Sequence, residues 1–193
     1  MSRRAVFLDR DGTVNVDVGF PSRWDQIAIY PYAFDAVRRL KAAGFLIIVV
    51  TNQSGIGRGF LTEADLEEIH ARLAEEFQRR SVPLDAIYYC PHYESADPAA
   101  GKTDCACRKP LPGMGRRAAA ELDIDLARSF MIGDKAEDVL FGVNIGATPI
   151  LVRTGYGPIA EPKLAALGVR PAFVADDLAA AADWILAREV RPS

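Results

Sequence analysis

Short apolar runs alternate with longer amphipathic stretches along most of the chain. Six runs have the length and composition of buried strands: Ala5–Leu8, Phe45–Val50, Ala86–Tyr89, Phe130–Ile132, Pro149–Val152 and Ala172–Val174. Five stretches between them have helical spacing: Ala33–Ala43, Glu63–Arg80, Gly113–Leu122, Glu137–Ile145 and Leu178–Arg188. This alternation predicts an α/β fold in which a three-layer, Rossmann-like parallel sheet is covered by helices on both faces.

The stretch Glu63–Arg80 has the clearest helical pattern. Thr62 precedes it, and Asp65 follows three residues later, which is a capping-box pair. The apolar residues that recur at helical spacing and define its buried face are Leu66, Ile69, Leu73 and Phe77. His70 lies off this stripe, so we expect it to be an ordinary exposed histidine.

The composition is that of a globular protein without an obvious macromolecular partner. The chain has 193 residues, half of them hydrophobic, which suits one domain spanning residues 1–193. No apolar stretch in the sequence approaches membrane-spanning length. The net charge is −3 and the basic residues are dispersed, which argues against nucleic acid as a partner. We expect a cytoplasmic monomer that acts on a small molecule, with no nucleic-acid or membrane partner.

Polar residues follow each of the first four predicted strands. In parallel sheets, ligands bind beyond the carboxyl ends of the strands. The residues at these positions are Asp9 and Asp11; Thr51 to Ser54; the cysteine loop with Arg108 and Lys109; and Gly133, Asp134, Lys135 and Asp138. We therefore expect one active site at this edge of the sheet.

Asp9 and Asp11 are the most informative of these residues. Side chains alternate along an extended segment, so both should point to the same side, close enough to share a cation. Two carboxylates this close repel each other, and Mg²⁺ is a hard ion suited to oxygen ligands. The first carboxylate is then a candidate nucleophile towards phosphorus.

Each element taken alone also allows a structural interpretation. Asp9 and Asp11 suit an ordinary strand-ending turn, and Thr51 suits a capped turn. Arg108 and Lys109 could be surface charges. Asp134 and Asp138 could simply favour the dipole of a following helix.

The three cysteines lie in one short segment together with a histidine. Cys90, His92, Cys105 and Cys107 form the ligand set of a closed tetrahedral Zn²⁺ site. The alternative is a set of scattered buried cysteines. Because four protein ligands leave no open position, zinc should be structural, and should hold a loop at 90–107 that delivers Arg108 and Lys109 to the site.

The four strand-end elements, in this order, resemble the haloacid dehalogenase-like phosphohydrolases. The family pattern is Asp-x-Asp-x-Thr, then a Thr or Ser after the second strand, a Lys, and Gly-Asp followed by another Asp. The matching residues are Asp9, Asp11 and Thr13; Thr51; Lys109; and Gly133, Asp134 and Asp138. The resemblance covers nearly the whole chain and implies that family's fold, here without room for a large cap domain.

The resemblance also implies a role for each matching residue. Asp9 is the nucleophile that forms an aspartyl-phosphate, and Asp11 is first the acid and later the base. Mg²⁺ is held by Asp9, the main-chain carbonyl of Asp11 and Asp134, with Asp138 behind them or linked through water. Lys109 and Thr51 neutralise and orient the transferring phosphoryl group.

The zinc loop narrows the resemblance to one branch of the family. That branch implies Mg²⁺-dependent hydrolysis of the 7-phosphate of a heptose 1,7-bisphosphate, in lipopolysaccharide precursor synthesis, or, as the alternative, hydrolysis of histidinol phosphate. The residues implied to contact substrate are Asp17, Val18, Gly19, Phe20, Thr51, Asn52, Gln53, Ser54, Arg108, Lys109 and Lys135.

The basic residues expected at the strand-end face are Arg58, Arg108, Lys109 and Lys135. Arg108 is well shaped to bind a second phosphate, which favours the bisphosphate. An alternative of a different class is a phospho-acceptor receiver module, which does not hydrolyse its phosphoryl group. Asp11 argues against a receiver, because a carboxylate two residues from the nucleophile promotes hydrolysis.

Overall fold

The computed structural model describes residues 2–93 and 105–189, which form a six-stranded sheet flanked by helices. The strands are Arg4–Leu8 (β1), Phe45–Asn52 (β2), Ala86–Cys90 (β3), Phe130–Gly133 (β4), Thr148–Val152 (β5) and Phe173–Ala175 (β6). Their order is β3-β2-β1-β4-β5-β6, and every neighbouring pair is parallel. All six predicted strands are therefore confirmed, with ends shifted by one or two residues.

Seven α-helices lie in the described part of the chain. They are Pro31–Ala42 (α1), Ser54–Gly57 (α2), Glu63–Arg79 (α3), Gly113–Leu122 (α4), Ala136–Ile145 (α5), Gly157–Ala166 (α6) and Leu178–Glu189 (α7). Over residues 2–93 and 105–189, no helix has both the length and the apolar character needed to cross a bilayer.

Strand β1 shows why the sheet has a helical layer on each face. Val6 and Leu8 pack into a core shared with α1, α3 and α7, whereas Ala5 and Phe7 pack into a second core with α4 and α5. All four side chains are fully buried. Alternating side chains of a central strand thus fill two cores, as the three-layer prediction requires.

The sequence pattern missed two helices, the four-residue α2 and the longer α6. Helix α6 contains Pro158 at its start and Pro162 within it. Pro162 falls in the interior of a helix, where proline is disfavoured. Ala160 and Leu164 form its buried face against α5 and β5, too short a stripe to give a clear helical period.

The expectation of an exposed His70 is wrong. The side chain is only 8% exposed, its ring packs against Tyr89, and it lies 3.1 Å from the guanidinium of Arg10. Arg10 is itself completely buried between β1 and α3. The buried face of α3 is therefore wider than its apolar stripe, because a buried polar side chain lies beneath it.

Candidate active site

The carboxyl ends of the central strands meet at a cavity of about 500 Å³. Its lining residues are Asp9, Asp11, Asp17, Gly19, Phe20, Thr51, Asn52, Gln53, Ser54, Arg108, Lys109, Pro110, Lys135, Glu137, Asp138 and Tyr156. Most residues singled out in the sequence lie here. Asp134 is completely buried beside them, and Val18 is half-exposed outside the lining. Pro110, Glu137 and Tyr156 were not expected, although Tyr156 follows β5 as the other site residues follow their strands.

Three carboxylates form a buried group, here called the carboxylate cluster: Asp9, Asp134 and Asp138. Each offers an oxygen within 4.8 Å of the others. Burial, followed by the charges of Asp9 and Asp138, raises the pKa of Asp134 to about 8. Burial, followed by Asp9, raises the pKa of Asp138 to about 6. So much buried negative charge is stable only beside a proton or a cation.

The cluster has the donor set of a hard divalent cation. Asp134 Oδ2 accepts a hydrogen bond from the Tyr156 amide at 2.7 Å, whereas its Oδ1 is buried and has no partner among the described residues. Gly12 and Gly155 approach the same carboxylate so closely that a Cβ on either would lie 2.3 or 2.2 Å from Oδ2. The unpartnered oxygen and the oxygen-rich surroundings fit a Mg²⁺ site.

Lys109 supplies the buried positive charge. Its Nζ lies 2.7 Å from Asp9 Oδ1 and 2.6 Å from Asp138 Oδ1, and donates to the Val50 carbonyl at 2.7 Å. Burial opposes the charged ammonium, but the charges of Asp138 and Asp9 outweigh it and raise the lysine pKa. Lys109 is therefore a permanent cation beside the predicted nucleophile.

The Asn52 side chain holds the Lys109 backbone in place. Its Nδ2 donates to the Lys109 carbonyl at 3.0 Å, and its Oδ1 accepts from the Lys109 amide at 2.9 Å. Asn52 is the last residue of β2, whereas Lys109 lies on the loop that leads to α4. The amide thus ties this loop directly to the central sheet.

Asp11 lines the same cavity as Asp9 but has different partners. Arg10 donates from Nη2 to Oδ2 at 2.8 Å and from Nε to Oδ1 at 3.1 Å. Asn15 and Gln53 each donate one further hydrogen bond at 2.9 Å. Burial would raise the pKa of Asp11, but the charge and hydrogen bonds of Arg10 outweigh it and lower the pKa. Its carboxylate is not part of the carboxylate cluster.

Gln53 connects Asp11 with Thr51. Its Nε2 lies 2.9 Å from Asp11 Oδ2 and 2.8 Å from Thr51 Oγ1. Thr51 is almost completely buried at the end of β2. The predicted acid and the predicted phosphate-binding hydroxyl are therefore linked by one amide side chain.

Lys135 and Asp17 form a further ion pair among the residues that line the cavity. Lys135 Nζ lies 2.9 Å from Asp17 Oδ2 and 4.9 Å from the centre of the Tyr156 ring. Burial opposes its charge, but Asp9, Asp134 and Asp17 outweigh burial and raise the lysine pKa. Asp17 also accepts from the Gly19 amide at 2.8 Å, which fixes the predicted sugar-contacting segment.

Arg58 does not join the cations of the cavity. Its guanidinium lies 3.6 Å from the centre of the Tyr93 ring and 5.6 Å from that of Phe20, and it is not a lining residue. Aromatic faces attract guanidinium groups, which accounts for this position. Arg108, Lys109 and Lys135 do line the cavity, so the expectation that four cations converge there holds for three of them.

The thiol cluster consists of Cys90, His92, Cys105 and Cys107. Neighbouring ligand atoms, His92 Nδ1 and the three Sγ atoms, lie 3.0–3.5 Å apart. With usual Zn–S and Zn–N bond lengths, a tetrahedral site has ligand separations of about 3.5–3.8 Å, so these atoms lie a few tenths of an ångström closer together than around a bound ion. The donor set and its convergence are compatible with zinc. Residues 94–104 of the predicted loop lie outside the described residues.

Arg108 is connected to the thiol cluster through the backbone. Its Nη1 donates to the carbonyl of His92 at 3.1 Å. The side chain that lines the cavity is therefore held by a residue that also contributes a nitrogen to the thiol cluster.

Comparisons with known proteins identify the relatives of this chain. Residues 106–181 match the HAD-hydrolase-like family model. The chain is 44% identical over 184 residues to the D-glycero-β-D-manno-heptose-1,7-bisphosphate 7-phosphatase of Yersinia pestis, covering 94% of this chain and 89% of the relative. It is 48% identical over 153 residues to the Escherichia coli K12 enzyme of the same name, covering 78% and 80%.

A solved structure extends this similarity to the whole fold. The D,D-heptose 1,7-bisphosphate phosphatase from B. bronchiseptica, complexed with magnesium and phosphate, superposes with a TM-score of 0.84 and 36% identity. The match covers 96% of this chain and 99% of the other. The chain therefore belongs to the haloacid dehalogenase-like hydrolases and, within them, to the D-glycero-D-manno-heptose-1,7-bisphosphate 7-phosphatase family.

Proposed function

We propose that this protein hydrolyses the 7-phosphate of D-glycero-D-manno-heptose 1,7-bisphosphate with Mg²⁺, in the synthesis of heptose precursors of lipopolysaccharide. The observation that carries the proposal is the position of Asp9. Its buried carboxylate lines the cavity, contacts Lys109 and belongs to the carboxylate cluster. The named relatives and the magnesium and phosphate in the solved structure of one of them support the same activity.

In the first step, a carboxylate oxygen of Asp9 attacks the phosphorus atom. The bond between phosphorus and the sugar oxygen breaks, and its electron pair stays on that oxygen, which takes a proton from Asp11. This step uses the protonated form of Asp11, which must form against the lowered pKa of that group. Lys109 neutralises charge on the phosphoryl oxygens, and Thr51 orients them. The products of this step are the dephosphorylated hydroxyl group and an aspartyl-phosphate on Asp9.

In the second step, water releases the phosphate. Asp11, now ionised, accepts a proton from the water as its oxygen attacks phosphorus. The bond between phosphorus and Asp9 breaks, so inorganic phosphate leaves and the Asp9 carboxylate is restored. The hydrogen bonds from Arg10, Asn15 and Gln53 favour the ionised form of Asp11 that this step requires.

Two groups of candidate metal ligands support this assignment. Asp9, Asp134 and the main-chain carbonyl of Asp11 are the proposed Mg²⁺ ligands. Asp138 is proposed to stand behind them, since its oxygens contact Lys109 and the Lys135 amide. Bound Mg²⁺ would stabilise negative charge on the transferring phosphoryl group. Zinc in the thiol cluster would be structural, because all four ligands come from the protein.

The cations of the cavity favour a substrate with two phosphates. Lys109 is engaged with the reacting centre, whereas Arg108 and Lys135 also line the cavity. Arg108 has the planar fork that suits a second phosphate, and we assign it that role. Histidinol phosphate has only one phosphate and would leave Arg108 without this role. It is therefore the less favoured, alternative substrate.

The test is a comparison of turnover under identical Mg²⁺ concentrations. The substrates are the α and β heptose 1,7-bisphosphates, histidinol phosphate and simple monophosphates. We expect the highest kcat/KM for a heptose bisphosphate and no turnover by Asp9→Asn. Asp25→Asn, which changes an exposed carboxylate in the same way, should retain wild-type turnover. A higher kcat/KM for histidinol phosphate, or turnover by Asp9→Asn, would overturn the proposal.

We also propose that residues 1–193 act as a single, capless catalytic domain and as a monomer without nucleic-acid or membrane partners. The single six-stranded sheet supports the first point. Light scattering coupled to size exclusion would measure the mass directly, and a dimer would contradict the second point.

A further inference from the structure

Arg10 is a completely buried cation directly after β1. A buried charge is stable only if its polar atoms have partners. Two of its nitrogens donate to the two oxygens of Asp11, at 3.1 and 2.8 Å. The third, Nη1, lies 3.1 Å from Nε2 of His70 on α3. The three side chains therefore form a continuous chain from α3 to the cavity.

The hydrogen-bond direction fixes the form of His70. A guanidinium has only donors, so Nε2 of His70 accepts and the ring proton is on Nδ1. Such a ring is neutral. Burial, followed by the positive charge of Arg10, lowers the pKa of His70 to about 3, which agrees with this form at neutral pH.

We propose that His70 is a positioning residue that fixes Asp11 for proton transfer by accepting the hydrogen bond of Arg10. Without this acceptor, the guanidinium loses its third contact and can rotate away from the carboxylate. Asp11 would then sample positions from which it reaches the leaving oxygen poorly. The inference rests on the proposed function, because it takes Asp11 as the acid of the first step.

The chemistry of the leaving group separates this role from a purely structural one. A sugar alkoxide is a poor leaving group and needs the proton from Asp11, whereas p-nitrophenolate leaves without one. The parameter kcat/KM covers the steps up to the first irreversible one, here loss of the leaving group. Misplacing Asp11 should therefore lower kcat/KM for the sugar phosphate far more than for p-nitrophenyl phosphate.

The experiment compares these two substrates in four variants. His70→Leu removes the acceptor, whereas His70→Gln restores one near the position of Nε2. Asp11→Asn is the reference for complete loss of the acid. Leu73→Ala, in the apolar core of the same helix, is the matched control for loss of stability.

We expect His70→Leu to lower kcat/KM for the heptose bisphosphate by about tenfold or more, and for p-nitrophenyl phosphate by less than about twofold. His70→Gln should recover most of the loss. Leu73→Ala should lower Tm without changing the ratio between the substrates. Should His70→Leu fail to fold, Arg10→Lys replaces it, because one ammonium cannot contact both Asp11 and His70.

Three results would overturn the role of His70. They are equal losses of kcat/KM on both substrates, no loss, or failure of His70→Gln to recover activity. Failure of the proposed function gives a different result. In that case the wild-type protein does not hydrolyse the heptose bisphosphate, or Asp11→Asn shows no dependence on the leaving group. The ratio for His70→Leu is then measured with the alkyl phosphate that the wild-type protein hydrolyses fastest.

Discussion

The carboxylate cluster and the thiol cluster are built in opposite ways. Asp9 and Asp134 directly follow the adjacent central strands β1 and β4, and all three carboxylates are nearly or completely buried. Of the thiol ligands, only Cys90 belongs to a strand, β3, which is at the edge of the sheet. Cys105 and Cys107 are only partly buried.

Because of this difference, an ion bound in each cluster would have a different function. The sheet and α5 hold the carboxylates together, so a cation bound there would relieve repulsion and would supply charge for chemistry. Apart from Cys90, the ligands of the thiol cluster come from segments outside the sheet. An ion there would join β3 to the loop carrying Arg108 and Lys109, and so supply structure.

The largest effect is expected from Asp134→Asn. A neutral amide weakens Mg²⁺ binding, and kcat should fall by about 10³-fold or more. In the absence of Mg²⁺, the Tm of the variant should be higher than that of the wild-type protein, because one buried carboxylate no longer repels Asp9 and Asp138. Steady-state kinetics and thermal unfolding with and without Mg²⁺ measure both effects. Equal stabilisation of wild type and variant by Mg²⁺ would contradict the assignment, and the exposed Asp176→Asn is the control.

A smaller effect on activity is expected from Cys107→Ser. Loss of one thiolate should lower the zinc content and Tm, and reduce kcat/KM by about 10–100-fold through displacement of Arg108 and Lys109. Metal analysis, thermal unfolding and kinetics are measured on the same preparation, with chelator-treated wild type alongside. If zinc is lost and activity stays complete, the scaffold role is wrong, although the phosphatase assignment is untouched.

The smallest effect is expected from Asn52→Ala, which breaks the link between the end of β2 and the loop that carries Lys109. It removes two hydrogen bonds to the Lys109 backbone, so the free energy of unfolding should fall by about 1–3 kcal/mol. We expect kcat/KM to fall several-fold as Lys109 becomes less ordered. Asn144→Ala is the matched control, because Asn144 donates to the carbonyl of Pro110, the residue that follows Lys109. Similar kinetics for both variants would show that the link does not matter.

The sequence predicts the strand-end site well because its signals are local. Asp9, Thr51 and Asp134 follow apolar runs, and parallel strands bring those positions to one edge of the sheet. Lys109 lies on a loop beyond β3 and is selected through the family resemblance. All four lie at the strand-end cavity or in the carboxylate cluster beside it.

Of the three partners of Asp11, only Gln53 is distant in the chain, whereas Arg10 and Asn15 lie one and four residues away. Their contacts could not be predicted, because the turn after β1 has no regular period that fixes side-chain directions. Patterns of polarity also treat charged and imidazole side chains as exposed, which conceals the buried pair Arg10 and His70. Helix α6 was missed because Pro162 disfavours a helix, whereas packing of Leu164 against the neighbouring elements stabilises it.

The contact between Lys109 and Asp9 also sets an order of events during protein synthesis. Lys109 leaves the ribosome one hundred residues after Asp9. By then, β1 can pair with β2 and β3 can join them, but β4, the other neighbour of β1, has not yet left the ribosome. The nascent chain can therefore begin its sheet early, yet Asp9, the proposed nucleophile, gains the neighbouring charge of Lys109 only in the second half of translation. The separation of Asp9 and Lys109 in the sequence thus delays assembly of the candidate active site until most of the chain has been made.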